Sequence, residues 1–137
     1  MKLAVAVDGS DNAFRAAQHA IMLAKHLPEV HLEIIYVVDY NKAKDDRLLT
    51  QSPESLVLKR EQVVHSVIEL AKSVNVEIQF TKLKGNPSHE IVEYVNGKSI
   101  DQLVIGSRGL NTFQEMILGS VSHKVMKLVK CPVTIVK

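Results

Sequence analysis

Five short runs rich in aliphatic and β-branched residues punctuate the chain: KLAVAV (Lys2 to Val7), HLEIIYVVD (His31 to Asp39), VEIQFTKL (Val76 to Leu83), LVIG (Leu103 to Gly106) and VTIVK (Val133 to Lys137). Between them, apolar residues recur at helical spacing. This alternation constrains the fold more than any other feature. Runs of four to nine residues suit buried strands, and the intervening segments are long enough for helices. Each helix must carry the chain back to the same end of the sheet, so the strands pair in parallel through right-handed crossovers. The expected architecture is a doubly wound, Rossmann-like α/β fold: a five-stranded parallel sheet with helices on both faces, in the order 3-2-1-4-5. The alternation allows that order without dictating it. With 137 residues, 46% of them hydrophobic and 23% charged, and with no linker or repeat, the chain reads as a single domain (1–137). One core burying about two thirds of the unfolded surface is enough at this size.

The helices carry their own signals. After Asp8-Gly9-Ser10-Asp11, the residues Ala13, Phe14, Ala16, Ala17, Ala20, Ile21, Ala24 and Leu27 line one face until Pro28. Asp11 is the expected cap. Ser52-Pro53 reads as an N-cap followed by proline at the first helical position, with Leu56, Val63, Val64, Val67, Leu70, Ala71 and Val74 behind it. Asn86-Pro87 repeats that signal before Ile91, Val92 and Val95, and Gly97 ends the helix. A last helix runs from about Ser120 to Val129.

Charge and composition exclude several classes of function. Seventeen Lys and Arg against fifteen Asp and Glu leave a net charge of +2 with no basic block, so nucleic-acid binding is not expected. The first apolar run breaks at Asp8, too early for a signal peptide or a membrane span, which points to a cytoplasmic protein without membrane attachment. Cys131, the single cysteine, rules out an internal disulfide and reads as a small core residue beside Pro132.

Ligands of open parallel sheets sit beyond the carboxyl ends of strands where the winding reverses. Two loops there stand out: Asp8-Gly9-Ser10 after the first strand, and the stretch GSRGLNTFQEMILGSVS from Gly106 to Ser122 after the fourth. In the expected order they face each other. Glycine lets backbone approach a ligand closely, and a helix N-terminus offers orphan N–H groups and partial positive charge to anions. Gly106, Gly109 and Gly119-Ser120 combine both properties, and the hydroxyls of Ser120 and Ser122 are donors suited to phosphate oxygens. A purely structural alternative has Gly106 and Gly109 shaping a turn and Ser120 capping the helix.

The spacing of Gly106, two residues, Gly109, nine residues and Gly119-Ser120 resembles the G-x2-G-x9-G-[S/T] signature of the nucleotide-binding branch of the universal stress protein family. The similarity spans the chain, through VAVDGS, YVVD, GSRG, LGSVS and the terminal CPVTIVK. The resemblance implies that Ala6, Val7 and Asp8 border the adenine and ribose, with Asp8 accepting hydrogen bonds. By the same resemblance Val37 presents a backbone group to adenine, Ile105 and Gly106 line the ribose side, and Gly109, Gly119, Ser120, Val121 and Ser122 surround the phosphates. Arg108 occupies a variable position of the signature, where a phosphate contact and a solvated surface arginine are alternatives. Phe113, Met116, Ile117 and Leu118 would anchor the loop to the fold.

The function so implied is that of an ATP-binding stress sensor or regulator. The ligand is ATP or another adenine nucleotide, with Mg²⁺ or Mn²⁺ held mostly by the phosphates and water. Binding would order the loop after the fourth strand and the Asp39 to Thr50 segment, changing a surface that an unidentified protein partner reads. The final strand is apolar on both faces at a sheet edge, a liability unless covered. The resemblance implies a homodimer joined there, through Val133 to Val136. A dimeric interaction protein without a physiological nucleotide, and a slow ATP hydrolase, are the alternatives, and the latter lacks an evident water-activating base.

Other signals lead elsewhere. NGKS (Asn96 to Ser99) resembles a P-loop ending, but position 92 holds Val92 where that motif needs glycine, so Lys98 reads as a solvated helix-end charge. The six histidines (His19, His26, His31, His65, His89 and His123) show no metal-ligand spacing. Ser120 and His123 lack a nucleophile elbow and a third group, and read as a cap and a surface residue. Asp45-Asp46 reads as part of a solvated lid segment rather than a metal pair.

Overall fold

A computed structural model describes residues 1–39, 53–108 and 118–137, with side chains from residue 58 onward in the second helix. Strand β1 (Lys2–Val7) leads into α1 (Asp11–His26), β2 (His31–Val38), α2 (Pro53–Ser73), β3 (Ile78–Lys84), α3 (Pro87–Gly97), β4 (Gln102–Gly106), α4 (Ser120–Leu128) and β5 (Val133–Val136). All strand pairs are parallel, in the order β3-β2-β1-β4-β5. The expected fold class and strand order are thus the observed ones. Among the described residues no helix is long and apolar enough to cross a membrane.

The sheet divides the interior in two. Because side chains alternate along a strand, Leu3, Val5 and Val7 of β1 face α1 and α2, where they meet Ala16, Ala17, Ala20, Ile34, Val64, Val67 and Val104. Ala4 and Ala6 face the other way, toward Ile35, Ile91, Val95, Leu103, Ile105 and Val125 under α3 and α4. The single core expected from chain length is therefore two layers. β1 is the strand both layers need, with Val5 paired to Ile34 on one side and Val104 on the other. Each fully buried aliphatic side chain contributes about 1.5–3 kcal/mol, which is why the central strands are almost wholly apolar. Cys131, half-buried, packs against the second layer, and burial pushes its thiol up from the usual cysteine range.

Local chemistry explains the helix ends. Ser10, not Asp11, caps α1: its backbone is extended and its Oγ accepts a hydrogen bond from Ala13 N at 3.2 Å. Asp8 Oδ1 accepts from Ser10 N at 2.9 Å, turning the chain so that the serine, one residue earlier than expected, meets the first helical N–H groups. Asn86 caps α3 as expected, accepting from His89 N at 3.2 Å with Pro87 beginning the helix. Pro53 likewise begins α2, while its expected cap, Ser52, and the side chain of Leu56 lie outside the described residues. α4 is capped by Gly119, without any side-chain hydrogen bond, so Ser120 is its first helical residue rather than its cap.

The NGKS segment has a structural task. Asn96 Nδ2 donates to Leu128 O at 3.2 Å while its Oδ1 accepts from Lys130 N at 2.9 Å, clamping the end of α4 to α3. Lys98 is exposed, with its ammonium 5.9 Å from the centre of the Tyr94 ring.

Gly106 shows how closely α1 lies on the sheet. A Cβ there would stand 3.0 Å from the carbonyl carbon and oxygen of Asn12 and 3.2 Å from Ala13 N, all of them backbone atoms. Gly106→Ala should therefore destabilise the fold by about 1–3 kcal/mol. Urea denaturation reads this as a lower midpoint at unchanged slope, and an unchanged midpoint would mean that α1 is free to move away.

Candidate functional site

β1 and β4 are neighbours, Ala6 pairing with Ile105, yet the chain leaves them in opposite directions. After β1 it turns to α1 on one face; after β4 it reaches α4 on the other. The carboxyl ends splay apart, and a cleft of about 880 Å³, counting the part open to solvent, lies between them. Its position is the one a doubly wound sheet reserves for ligands.

The cleft has an apolar side and a polar side. Ala6, Val37, Ile105, Pro87 and Ile91 supply the apolar surface, and all but the proline belong to the core layer under α3 and α4. Asp8, Tyr36, Asp39 and Arg60 supply polar and charged groups, Arg60 from α2 and Tyr36, like Val7, from the layer under α1 and α2. The β4 end contributes Gly106 and Arg108, and the α4 tip contributes Gly119, Ser120, Val121 and Ser122. Eleven of the twelve residues singled out in the sequence thus line one cleft. Gly109, the twelfth, lies outside the described residues, as do the Tyr40 to Thr50 part of the second loop with Asp45-Asp46, and Phe113, Met116 and Ile117.

The seam between β4 and α4 is built from main-chain and hydroxyl bonds. Ser107 N donates to Val136 O at 2.8 Å, and Ser107 O accepts from Gly119 N at 2.7 Å. The Ser107 side chain, 5% exposed, accepts from Asn12 Nδ2 at 3.4 Å. Ser122 Oγ donates to Gly106 O at 2.7 Å. These bonds pin the two ends of the intervening segment to each other and set the first turn of α4 at the cleft.

Two sequence expectations change as a result. The Ser122 hydroxyl donates to Gly106 O, so donating to a ligand would require giving up that bond. Gly119 offers no amide to an anion, since its N–H is taken by Ser107 O. What remains is the first turn of α4, where the N–H groups of Ser120, Val121 and Ser122 have no intrahelical acceptor and Gly119 brings no capping side chain. Gly106 is required by the packing of α1, so its missing side chain serves the fold before any ligand.

Tyr36, Val38, Asp39, Arg60, Pro87, Ile91 and Ala13 also line the cleft and were not anticipated. Tyr36 is buried, and burial pushes its phenol above the usual tyrosine range; the nearby Arg60 charge opposes this, and Glu61 and Asp8 reinforce it. Pro87 and Ile91 arrive on the first turns of α3, whose Asn-Pro start was legible although its proximity to β1 was not. Arg60 lies in a helix with no motif to mark it.

The arrangement suits binding better than covalent chemistry. Ser120 is exposed at the α4 tip, and His123 is exposed and does not line the cleft. Among the described residues no group of three His, Cys, Asp or Glu could hold a metal ion.

A family model described as the universal stress protein family matches residues 1–137. Universal stress protein YxiE of Bacillus subtilis is 34% identical over 146 residues, spanning 99% of this chain and 98% of its own. Among solved structures, hypothetical protein MJ0577 superposes with a TM-score of 0.80 at 24% identity, covering 99% of this chain and 94% of its own. A universal stress protein solved in complex with cAMP superposes with a TM-score of 0.71 at 25% identity, covering 100% and 96%.

The Ser122–Gly106 bond can be tested without a ligand. Ser122→Ala leaves a buried carbonyl short of a donor, which costs about 1–3 kcal/mol. Thermal unfolding of the ligand-free protein should show that loss, whereas a hydroxyl that served only a ligand would leave the ligand-free protein unchanged.

Proposed function

The chain belongs to the universal stress protein family, and from that premise we propose that it binds an adenine nucleotide in the cleft between β1 and β4 and acts as a nucleotide-dependent stress sensor or regulator. The observation that carries this reading is the N-terminus of α4. It is held against the cleft by the Ser107–Gly119 and Ser122–Gly106 bonds and lacks a side chain to occupy its orphan N–H groups. Such a helix tip favours a phosphate, and Arg108, which lines the same cleft, adds a formal positive charge. The apolar surface of Ala6, Val37, Ile91 and Ile105 suits a flat base, and Asp8 suits ribose hydroxyls with the carboxylate oxygen that Ser10 N does not use. The relative solved with cAMP supports the same ligand class.

ATP is the specific ligand proposed. A divalent cation, Mg²⁺ or Mn²⁺, would be held by phosphate oxygens and water, with Asp8 and Asp39 the carboxylates lining the cleft. The cation would supply charge neutralisation; the chain's own residues position the base, ribose and phosphates. Hydrolysis ranks below binding because no described residue of the cleft is arranged as a nucleophile with its base.

The proposal includes a homodimer through β5. Val133–Val136 forms one edge of the sheet beside β4, and all four of its residues are partly exposed. Pairing with a second β5 would satisfy that edge. A protein partner would read the surface around the loop after β4.

Gly119 provides the test. Its φ of −66° and ψ of 160° are accessible to any residue, so Gly119→Val adds bulk to a residue that lines the cleft without demanding a backbone conformation that valine avoids. Calorimetry should show ATP binding to the wild type and at least a roughly tenfold weaker affinity for the variant, a change of about 1.4 kcal/mol. At 100 times its dissociation constant, ATP should stabilise the wild type by about 2.7 kcal/mol. Undiminished affinity in the variant removes the α4 tip from the site.

A further inference from the structure

Arg60 reaches the cleft from α2, outside the segment from Gly106 to Ser122. Val64, Val67 and Ala71 bury α2 against the sheet, and Arg60 crosses the β1–α1 turn at Gly9. A Cβ on Gly9 would lie 3.1 Å from each of Arg60 Cα, Cβ and Cγ, and Gly9 has φ +86°. Space and backbone conformation both call for glycine at this point, and the outcome is a fixed course for the arginine stem along the turn. The cleft that Arg60 lines also carries the carboxylates of Asp8 and Asp39 and the phenol of Tyr36. The Arg60 charge and the Asp8 charge both act on that phenol, so the guanidinium lies within electrostatic reach of the cleft's inner end.

Resting on the nucleotide reading, we propose that Arg60 is a specificity-determining residue that makes the cleft select adenine nucleotides by the length of their phosphate chain. The α4 tip approaches from one face of the sheet, and Arg60 on α2 from the other. A single phosphate satisfies one side. A chain of phosphates can meet both. A guanidinium has only donors, in a fork matched to phosphate oxygens, whereas a neutral nucleoside offers it no charged acceptor. The carboxylates of Asp8 and Asp39 line the same cleft, so Arg60→Gln removes a positive charge from a site that already holds negative ones, and an added phosphate is then less favoured.

The experiment is calorimetry of the full chain and of Arg60→Gln and Arg60→Lys with adenosine, AMP and ATP, at low and high salt. Arg60→Gln should weaken ATP by about tenfold or more, AMP by less, and adenosine not at all, with a shallower salt dependence for ATP. Arg60→Lys keeps the charge without the fork and should recover part of the preference; its ATP-to-adenosine ratio decides the matter if Arg60→Gln does not fold. An equal loss for all three ligands, or no loss for ATP, overturns the assignment. Wild-type protein that binds none of the three overturns the nucleotide reading itself, which is a different result from wild type and variants binding all three alike.

Discussion

The site depends on a serine one residue past the end of β4. Ser107 gives its N–H to β5, its carbonyl to the N-cap of α4 and its hydroxyl to an amide on α1. Three elements on two faces of the sheet are therefore referred to one residue at the winding reversal. Ser122 adds a second tie to the same strand end by donating to Gly106 O. At the end of a strand the ladder stops supplying partners, and a buried carbonyl there must find another donor. Here the donors come from the first turn of α4. The demand for backbone satisfaction sets the helix tip at the cleft, and the anion-attracting geometry follows from it.

The same principle separates the glycines. Gly9 has a positive φ and admits the stem of Arg60; Gly106 admits the backbone of α1; Gly119 has an ordinary extended conformation and instead withholds a capping side chain. A glycine signature in a sequence is therefore a mixture of requirements, and coordinates are needed to sort them.

The parallel strands and both faces of the sheet were legible because burial imposes periodicity: Leu3, Val5 and Val7 against Ala4 and Ala6 already declare a strand covered on two sides, whereas the order of the strands was allowed by the alternation and fixed only by their pairing. The cleft residues of β1, β4 and α4 were legible for a related reason, since they sit at strand ends and a helix start, where glycine and serine carry local meaning. Ser10 and Asp11 could not be told apart as caps, because either side chain can accept from the first turn and the choice falls to the bond between Asp8 Oδ1 and Ser10 N. Ser122 looked like a ligand donor because the sequence does not show where Gly106 O points. Arg60, Pro87 and Ile91 reach the cleft by tertiary placement on helices whose sequence patterns record only their buried faces. Nothing in the spacing around Arg60 marks the side chain that crosses Gly9.

The two sides of the cleft belong to different layers of the protein, and this bears on how occupancy can be sensed. Ala6, Ile91 and Ile105 are continuous with the layer under α3 and α4, while Tyr36 is continuous with the layer under α1 and α2. The layers meet through the sheet and, at its carboxyl end, through the Asn12–Ser107 contact. A ligand seated as proposed touches both, so its binding energy opposes any motion that separates α2 from α4, beyond what its contacts with either helix alone would resist. Such a ligand can report its presence at surfaces remote from its own atoms, because it biases the relative positions of elements that lie on opposite faces of the sheet.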